Sequence, residues 1–547
     1  MLFNDLKNLV KGEVRDDEET LEEFSHDTSL FGVRPKVVVS PEDVEDVKTL
    51  VRYISEHKDS DSSLSLTARS GGTDMSGGPL NESIVLDFIP HFNHFSVDSE
   101  SLCAEIEPGV FYRDFEKETG PKGVLMPSYP ASKSIAALGG MVMNNAGGEK
   151  TLRYGQTRKF VEEVRMVLRD GNEYSFGSLE AEELERKLQQ DDFEGEVYQG
   201  VHKLLEEHYK LVQSAQPKTS KNSAGYALWD VWDKESGRFD LSQLFVGSQG
   251  TLGIMTGAKL RLIKEKKHKI LMPVFLSSWD ELPEIVQAVL PHDPESLELF
   301  DIETLKLGLR FMPEVAKKAG SSFIPFALKF LPEVWVGIRL MGLPKLVVLV
   351  HLAEDSESEV RSKAAKVDAL VRRFHVCART IYSEEEAEKY WIMRRESFNL
   401  LRQHVKGKRT APFIDDFCIF PKDVPEFLPK LLKILKEHKI AVNIAGHAGD
   451  GNFHIIPLMD LTKEEEQAKI WVVADKVYAL VLQYGGTITA EHNDGLIRSP
   501  YLEKMYGKEV YALFEEVKRI FDPEGIFNPG KKVGSSKKYA MRHLKQE

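Results

Sequence analysis

Two short stretches of the chain hold the residue types that bind metals. Ile444-Ala-Gly-His-Ala-Gly-Asp-Gly-Asn-Phe-His-Ile455 sets His447 and His454 seven positions apart around a Gly-Asp-Gly turn. With strands over 441–445 and 452–456 flanking that turn, the two imidazoles face one another. Gly486-Thr-Ile-Thr-Ala-Glu-His-Asn-Asp-Gly495 ends a β-branched run on Glu491 and His492. Two imidazoles and one carboxylate suit Zn²⁺, alternatively Mn²⁺ or Fe²⁺, with coordination positions left over for a substrate. From spacing alone, the same residues also read as two surface histidines on a hairpin and an unrelated Glu-His pair.

A second chemistry is written in glycines. Ala68-Arg-Ser-Gly-Gly-Thr-Asp-Met-Ser-Gly-Gly78 follows a strand-like run and combines four glycines with three hydroxyl side chains. Such a backbone can curl until successive N–H groups converge on a phosphate. It is not the dinucleotide fingerprint, because no G-x-G-x-x-G opens a helix here. More such segments follow: Met126-Pro-Ser-Tyr-Pro-Ala-Ser-Lys-Ser-Ile-Ala-Ala-Leu-Gly-Gly140, Met141-Val-Met-Asn-Asn-Ala-Gly-Gly148, Lys221-Asn-Ser-Ala-Gly-Tyr-Ala-Leu228 and Val246-Gly-Ser-Gln-Gly-Thr-Leu-Gly-Ile254. One long ligand with a pyrophosphate explains that density better than independent turns.

The elements that must carry these residues belong to a chain of 547 residues, with 72 Lys+Arg against 86 Asp+Glu, a net charge of −14 and a pI near 5.7. The acid excess argues against nucleic acid as a partner, since that binding needs a basic surface. Hydrophobic residues at 42% and charged residues at 29% fit a soluble globular protein, and the length predicts several domains. Cys103, Cys377 and Cys418 lie far apart without C-x-x-C spacing, which argues against a disulfide framework or an internal Fe–S cluster. The N-terminus turns acidic where a signal peptide needs an apolar core. No window approaches the roughly 20 apolar residues of a spanning helix, so a cytoplasmic setting is expected.

Residues 1–29 read as a polar helical lead-in. A strand over 36–40 leads into a helix with Ser40 as its cap and Pro41 at its first position, and a strand over 64–68 completes a βαβ-like opening. From 84 to 263 short strands alternate with glycine turns around a charged helical insertion at 178–212. After 268, strands at 270–275 and 346–352 alternate with helices at 354–374 and 384–404, and 441–495 returns to strands and glycine turns. Residues 323–344 are rich in Phe, Leu, Trp and Pro, but Lys329, Glu333 and Arg339 interrupt them. They cannot span a bilayer, and read either as a cap helix chopped by prolines or as a segment lying at a membrane interface. The basic tail after 531 is expected to be loosely held.

The ordered motifs R-S-G-G-T-x-x-S-G-G, P-S-x-x-x-S-K-S-I-x-x-x-G-G-x-x-x-N-N-A-G-G, K-N-S-A-G-Y and G-S-Q-G-T-L-G-I resemble the FAD domain of the vanillyl-alcohol-oxidase (PCMH-type) flavoproteins. More narrowly, they resemble the D-lactate / D-2-hydroxyglutarate / glycolate dehydrogenase branch, over roughly 30–532. The resemblance implies an α+β chain: a two-subdomain FAD-binding domain at 30–265, an α+β substrate cap at 266–440, a C-terminal metal and catalytic segment at 441–532 and a polar tail at 533–547. It implies that Ser70, Gly71, Gly72, Thr73, Ser76 and Gly77 wrap the FAD pyrophosphate. Ser128, Gly139, Gly140, Asn144, Gly147 and Gly148 would continue the site, with Gly250, Thr251 and Ile254 near the flavin and ribityl chain. Thr73 stands where covalently flavinylated relatives carry histidine, so FAD is expected to be non-covalent. Gln249 replaces the usual Glu of G-S-E-G-T-L-G.

The motifs G-H-x-G-D-G-N-x-H and A-E-H likewise resemble the metal-dependent 2-hydroxyacid dehydrogenases, which implies His447, His454 and Glu491 as ligands of a divalent metal and His492 as the catalytic base. Arg394, in Tyr390-Trp-Ile-Met-Arg-Arg-Glu396, resembles the W-x-x-R arginine that binds the substrate carboxylate, with Arg395 the adjacent alternative. Two departures bear on the substrate. The acidic strand Ile414-Asp-Asp-Phe-Cys-Ile-Phe-Pro421 is one residue longer and lacks the lysine some members have, for which Arg409 can compensate. Ile456 stands where dicarboxylate-using relatives carry Asn. The implied reaction is oxidation of a D-2-hydroxy acid to the 2-oxo acid, by metal-assisted hydroxyl deprotonation and hydride transfer to flavin N5. Its electrons would pass to an external acceptor: a quinone, an Fe–S protein or an electron-transfer flavoprotein. A peripheral position on the inner face of a membrane and an oligomer both stay open. The rival readings are an alkylglycerone-phosphate-synthase-like FAD transferase, whose expected run of histidines is absent, and a non-catalytic flavoprotein subunit of an electron-transfer complex.

Overall fold

The computed structural model describes residues 2–318, 322, 324, 328–340, 342–404 and 407–545. Three sheets carry the architecture. The first, of order β1-β2-β4-β3, consists of β1 (Glu13–Arg15), β2 (Val37–Ser40), β3 (Leu66–Arg69) and β4 (Ile84–Asp87). β2 and β3 run parallel to β4, while β1 is antiparallel to β2. All four residues of β2 and of β4 are buried, as expected where both faces of a parallel sheet are covered. The helix after β2 begins at Val44 rather than at Pro41, because Asp43 is its cap and accepts from the Asp46 amide. Asp46 in turn accepts from the Lys11, Gly12 and Glu42 amides, so the lead-in is tied to this sheet and contributes β1 to it.

The second sheet is antiparallel, of order β10-β9-β8-β11-β6-β5. It contains β5 (Phe95–Asp98), β6 (Cys103–Ile106), β8 (Val161–Val167), β9 (Glu173–Leu179), β10 (Phe239–Asp240) and β11 (Ile254–Arg261), while β7 (Val124–Leu125) pairs separately with β12 (Ile263–Lys264). The charged insertion after β9 forms helices Ala181–Leu188 and Phe193–Ser214.

The third sheet has the order β16-β13-β15-β14-β19-β20-β17, with β18 also on β20. Its strands are β13 (His268–Leu276), β14 (Ser296–Asp301), β15 (Leu346–Glu354), β16 (Cys377–Ala378), β17 (Arg409–Thr410), β18 (Phe417–Cys418), β19 (Ala441–His447) and β20 (Asn452–Met459). Period-2 alternation sorts its apolar residues onto two faces. Ile270, Met272 and Val274 pack with Val360, Ala364 and Val367 of helix Glu357–Val371. Leu271 and Phe275 pack on the other side with Tyr390 and Trp391 of helix Glu384–His404. β19 and β20 therefore continue the sheet of residues 266–440.

The tail differs from the expectation of loose attachment. Helix Lys537–Arg542 is followed by Leu544, which bridges to Phe31, and Ala540 and Leu544 join the large core. Ala540 on the helix and Leu544 beyond its end supply the anchor. Of residues 323–344, those described include helix Leu331–Arg339 with Pro332 in its first turn; the rest fall partly outside the described residues. Among the described residues no helix is long and apolar enough to cross a membrane.

Candidate active site

The three sheets meet around a cavity of about 640 Å³. One end is built from the glycine segments. Ser70, Gly71, Gly72, Thr73 and Asp74 line it, as do Gly139, Gly140, Asn144 and Gly250. The loop after β3 is held in shape by Asp74, whose Oδ2 accepts from the Ser76 amide, the Ser76 hydroxyl and the Gly78 amide. A Cβ on Gly250 would meet no atom nearer than 3.9 Å, so the glycine leaves room at the wall that a side chain would take. The other expected cofactor residues stand behind this wall. Ser76 is fully buried, Gly77 donates to Asp27, Ser128 donates to the Ala146 carbonyl, Thr251 shares its hydroxyl with Tyr226 and Ile254 packs in the core of the first sheet. Gly147 and Gly148 lie between the glycine loops and the histidine cluster. A Cβ on Gly147 would come within 2.8 Å of Glu491 Oε2, and one on Gly148 within 1.9 Å of the Tyr129 carbonyl.

Gln249 has a physical reason for being an amide. Its Nε2 donates to Ser76 Oγ at 3.1 Å and to Asn144 Oδ1 at 3.3 Å, while its Oε1 accepts from the Gly495 amide. Asn144 completes the chain by donating to Asp74 Oδ1 at 3.0 Å. A carboxylate at position 249 has no N–H to give to either partner.

The opposite end of the cavity carries the histidines. Strand register places Glu298 on β14 directly opposite His447 on β19, and His447 opposite Asn452 on β20. His454, two positions further along β20, shares that face. Three imidazole Nε2 atoms then converge on Glu491 Oε1: His447 at 3.2 Å, His454 at 3.4 Å and His492 at 3.9 Å. Ligand atoms that share one ion at about 2.1 Å lie about 3.0–3.4 Å apart, so the first two separations suit a bound cation. Each outer ring nitrogen faces a carboxylate, His447 Nδ1 with Glu298 at 2.6 Å, His454 Nδ1 with Asp415 at 3.2 Å and His492 Nδ1 with Asp415 at 2.8 Å. That is the outer-shell pattern that fixes tautomers with Nε2 turned inward.

A set whose ligand atoms all lie within 4.8 Å of one another consists of His454, Glu491, His492 and, in place of the expected His447, Asp416. Its Oδ2, however, already accepts from the Thr489 hydroxyl and from the Ala490, Glu491 and His492 amides, and its Oδ1 from Asn452. Asp416 is thus the scaffold that shapes the Glu491–His492 turn. Lys221, fully buried, donates to Glu491 Oε2 at 2.9 Å and lies 3.5 Å from Asp450.

Electrostatics follows this geometry. Burial works to raise the Glu491 carboxyl, but the Lys221 ammonium outweighs it and holds the group well below the usual range. Burial favours neutral His447, yet the Glu298 carboxylate overrides it and lifts the imidazole to about 9. His454 and His492 are raised against the same burial penalty, chiefly by Asp415 for His454 and by Asp416 and Asp415 for His492.

Arg394 lines the cavity and sits 3.2 Å from Glu298 Oε2, and Arg395 lines it too, forked onto Glu149 at 2.7 and 3.3 Å. Ile456 forms an apolar wall beside His454, while Arg409 is exposed on β17 opposite Met459. Sequence reasoning passed over Glu298, Asp415 as a partner of two histidines, and Lys221. Lys221 stands in the K-N-S-A-G-Y motif and Asp415 in the acidic strand 414–421, whereas Glu298 belongs to no motif.

The comparisons follow the same division. Residues 35–177 match the FAD binding domain family, and residues 265–532 match the C-terminal domain of FAD linked oxidases. D-2-hydroxyglutarate dehydrogenase of Pseudomonas putida is 27% identical over 531 residues, covering 95% of this chain and 50% of that protein. Glycolate oxidase subunit GlcD of Bacillus subtilis is 26% identical, covering 93% and 91%, and D-lactate dehydrogenase of Archaeoglobus fulgidus is 26% identical, covering 91% and 91%. The chain spans about half the length of the first D-2-hydroxyglutarate dehydrogenases it matches. Among solved structures, 4-ethylphenol oxidase from Gulosibacter chungangensis has a TM-score of 0.70 at 15% identity over 98% of this chain and 97% of that one. An alkyldihydroxyacetonephosphate synthase has 0.66 at 14% identity, over 96% and 84%. Fold and site together define an FAD-linked oxidoreductase architecture with a sheet-borne histidine–carboxylate centre. The chain carries an FAD binding domain at 35–177 and an FAD linked oxidase C-terminal domain at 265–532, and is similar to proteins named D-2-hydroxyglutarate dehydrogenase, D-lactate dehydrogenase and glycolate oxidase subunit.

Proposed function

We propose that this chain is an FAD-dependent dehydrogenase that oxidises a D-2-hydroxy acid to the 2-oxo acid. The observation that carries the reading is the convergence of three Nε2 atoms on Glu491 Oε1 at one end of a glycine-lined cavity. In this reading residues 30–265 hold the flavin non-covalently and 266–532 hold substrate and cation. Bound FAD would supply the hydride acceptor, and a divalent cation such as Zn²⁺ held by His447, His454 and Glu491 would act as the Lewis acid for the substrate hydroxyl.

The rest is done by this chain's own residues. His492 receives the hydroxyl proton at Nε2, and its Nδ1 lies 2.8 Å from Asp415 Oδ2, whose charge stabilises the imidazolium formed. Arg394 binds the substrate carboxylate through its planar array of N–H donors, and Glu298 fixes the guanidinium. The substrate thereby loses a proton to His492 and a hydride from Cα. Bound FAD would take up the hydride, and its electrons would leave to an external acceptor.

The test is anaerobic flavin bleaching, with Mn²⁺ or Zn²⁺ restored, across D- and L-lactate, glycolate, D-malate and D-2-hydroxyglutarate. Bleaching by a D-2-hydroxy acid is expected, and none with any of them refutes the reading. The transferase alternative draws on a likeness that shows the fold alone, whereas the histidine–carboxylate cluster favours the dehydrogenase.

A further inference from the structure

Glu298 is a buried acid that touches two parts of the site at once. It is 1% exposed, its Oε1 lies 2.6 Å from His447 Nδ1 and its Oε2 lies 3.2 Å from the Arg394 guanidinium. These partners come from different elements, His447 from β19 beside Glu298's own strand and Arg394 from helix Glu384–His404, which packs on that sheet. On the function proposed above, they also do different jobs: His447 holds the cation and Arg394 holds the substrate carboxylate.

We propose that Glu298 is a positioning residue that links the two, so that the cation site responds to what happens at Arg394. Glu298 accepts from Nδ1–H of His447, which leaves Nε2 as the inward ligand atom. Its second oxygen forms an ion pair with the guanidinium at 3.2 Å. One carboxylate thus meets both partners, and moving the guanidinium moves the acceptor on which His447 depends. Two sites that share one ordered group have a coupling free energy, and the coupling is reciprocal. A glutamine of the same shape breaks the link without opening a cavity. Its carbonyl end accepts from one partner, and its amide end turns N–H groups toward the other, which is also a donor.

The experiment measures Mn²⁺ affinity by calorimetry on flavin-loaded, metal-stripped protein for wild type, Glu298→Gln, Arg394→Lys and the double variant. Glu298→Gln is expected to weaken Mn²⁺ binding by about 10–100-fold, the usual effect of losing an outer-shell partner of a ligating histidine, with flavin content unchanged. Arg394→Lys touches none of the three ligands, yet is expected to weaken Mn²⁺ binding at least about threefold in the wild-type background and to have no effect once Glu298 is glutamine. In the same variants KM for the oxidised 2-hydroxy acid should rise with kcat less affected. Unchanged Mn²⁺ affinity in Glu298→Gln, or an Arg394→Lys effect of equal size in both backgrounds, overturns the link. The Mn²⁺ cycle needs no substrate, so a protein that bleaches with no 2-hydroxy acid would refute the proposed function while the cycle still decides the role of Glu298.

Discussion

Replacing Lys221 by methionine removes a fully buried ammonium while keeping roughly its volume. The lysine lies 2.9 Å from Glu491 Oε2 and 3.5 Å from Asp450, and it donates over 3.4 Å to the Asn452 side chain and the Gly148 carbonyl. Removing one partner of a buried pair strands the other charge and costs about 3–5 kcal/mol. For cooperative units of 150–250 residues each kcal/mol is worth about 2–4 °C, so the melting temperature should fall by roughly 6–20 °C. The size should depend on the cation. With Mn²⁺ bound, Glu491 faces a second positive charge and the loss of Lys221 is partly compensated, so the fall should be larger in EDTA than in Mn²⁺. It should also depend on pH. Without Lys221, burial drives the Glu491 pKa up, so the deficit shrinks as pH falls and the carboxyl takes a proton. The assay is thermal unfolding of flavin-loaded wild type and Lys221→Met, each with EDTA or Mn²⁺, at pH 5.5 and 8. A shift below 2 °C in EDTA, or shifts of equal size with and without Mn²⁺, would refute the assignment of Lys221 as the counter-ion of Glu491.

Other outcomes follow from the same geometry. Gln249→Glu removes two buried donations, to Ser76 and Asn144, at about 1–3 kcal/mol for unsatisfied groups, and should lower the flavin-to-protein absorbance ratio after gel filtration. Gly148→Ala forces a Cβ to 1.9 Å from the Tyr129 carbonyl and should destabilise by at least about 3 kcal/mol, the upper range for overpacking, in chemical denaturation. His492→Asn should keep flavin and Mn²⁺ but slow anaerobic bleaching by about 10²–10⁴-fold. Because Glu298 lifts His447 to about 9 and Asp415 raises His454 as well, binding of a cation at neutral pH must expel at least one proton. Mn²⁺ affinity should then rise at least about tenfold per pH unit, and titration at pH 7 and 8 checks this.

The parts of the site that were legible in the sequence are those whose residue types are costly anywhere else. Glycines packed against backbone and a histidine pair around a Gly-Asp-Gly turn stand out because few folds need them. Glu298 gives no such signal. Ser-Leu-Glu-Leu-Phe-Asp reads as an alternating strand with one wet face, yet all six residues are buried, because the polar face is the site. Its partner lies 149 positions away, and a pairing of that range is set by the sheet register rather than by any local pattern. Lys221 was obscure for a different reason: lysine is almost always solvated, and its burial makes sense only once Asp450 and Glu491 surround it. Asp415 and Asp416 stand adjacent with the same chemistry, but φ of 70° at Asp416 turns one carboxylate toward three backbone amides and leaves the other to the imidazoles. The tail was misjudged because its charge outnumbers the two apolar residues that anchor it.

The buried charges explain why the imidazole pKa values and a cation belong to one argument. Glu298, Asp415, Asp416, Asp450 and Glu491 are all at least nine-tenths buried, and so are the cations among them, Lys221, Arg394 and Arg498. Five carboxylates against three fixed cations leave an excess of two negative charges when the imidazoles are neutral. Buried charge of that size is not tolerated uncompensated. One remedy is to load protons onto His447, His454 and His492, which is the upward displacement all three show. The other is a divalent cation, whose charge equals the excess and whose ligand atoms would include two of those inward-facing nitrogens, His447 Nε2 and His454 Nε2. The two remedies exclude one another at each of those two atoms. Which carboxylate would serve as ligand on the proposed function follows from the lone pairs left over. Asp416 has given its oxygens to backbone and side-chain donors, Asp415 is shared by two histidines, and Glu298 joins His447 to Arg394. Glu491 keeps Oε1 on the three ring nitrogens because Lys221 holds its other oxygen.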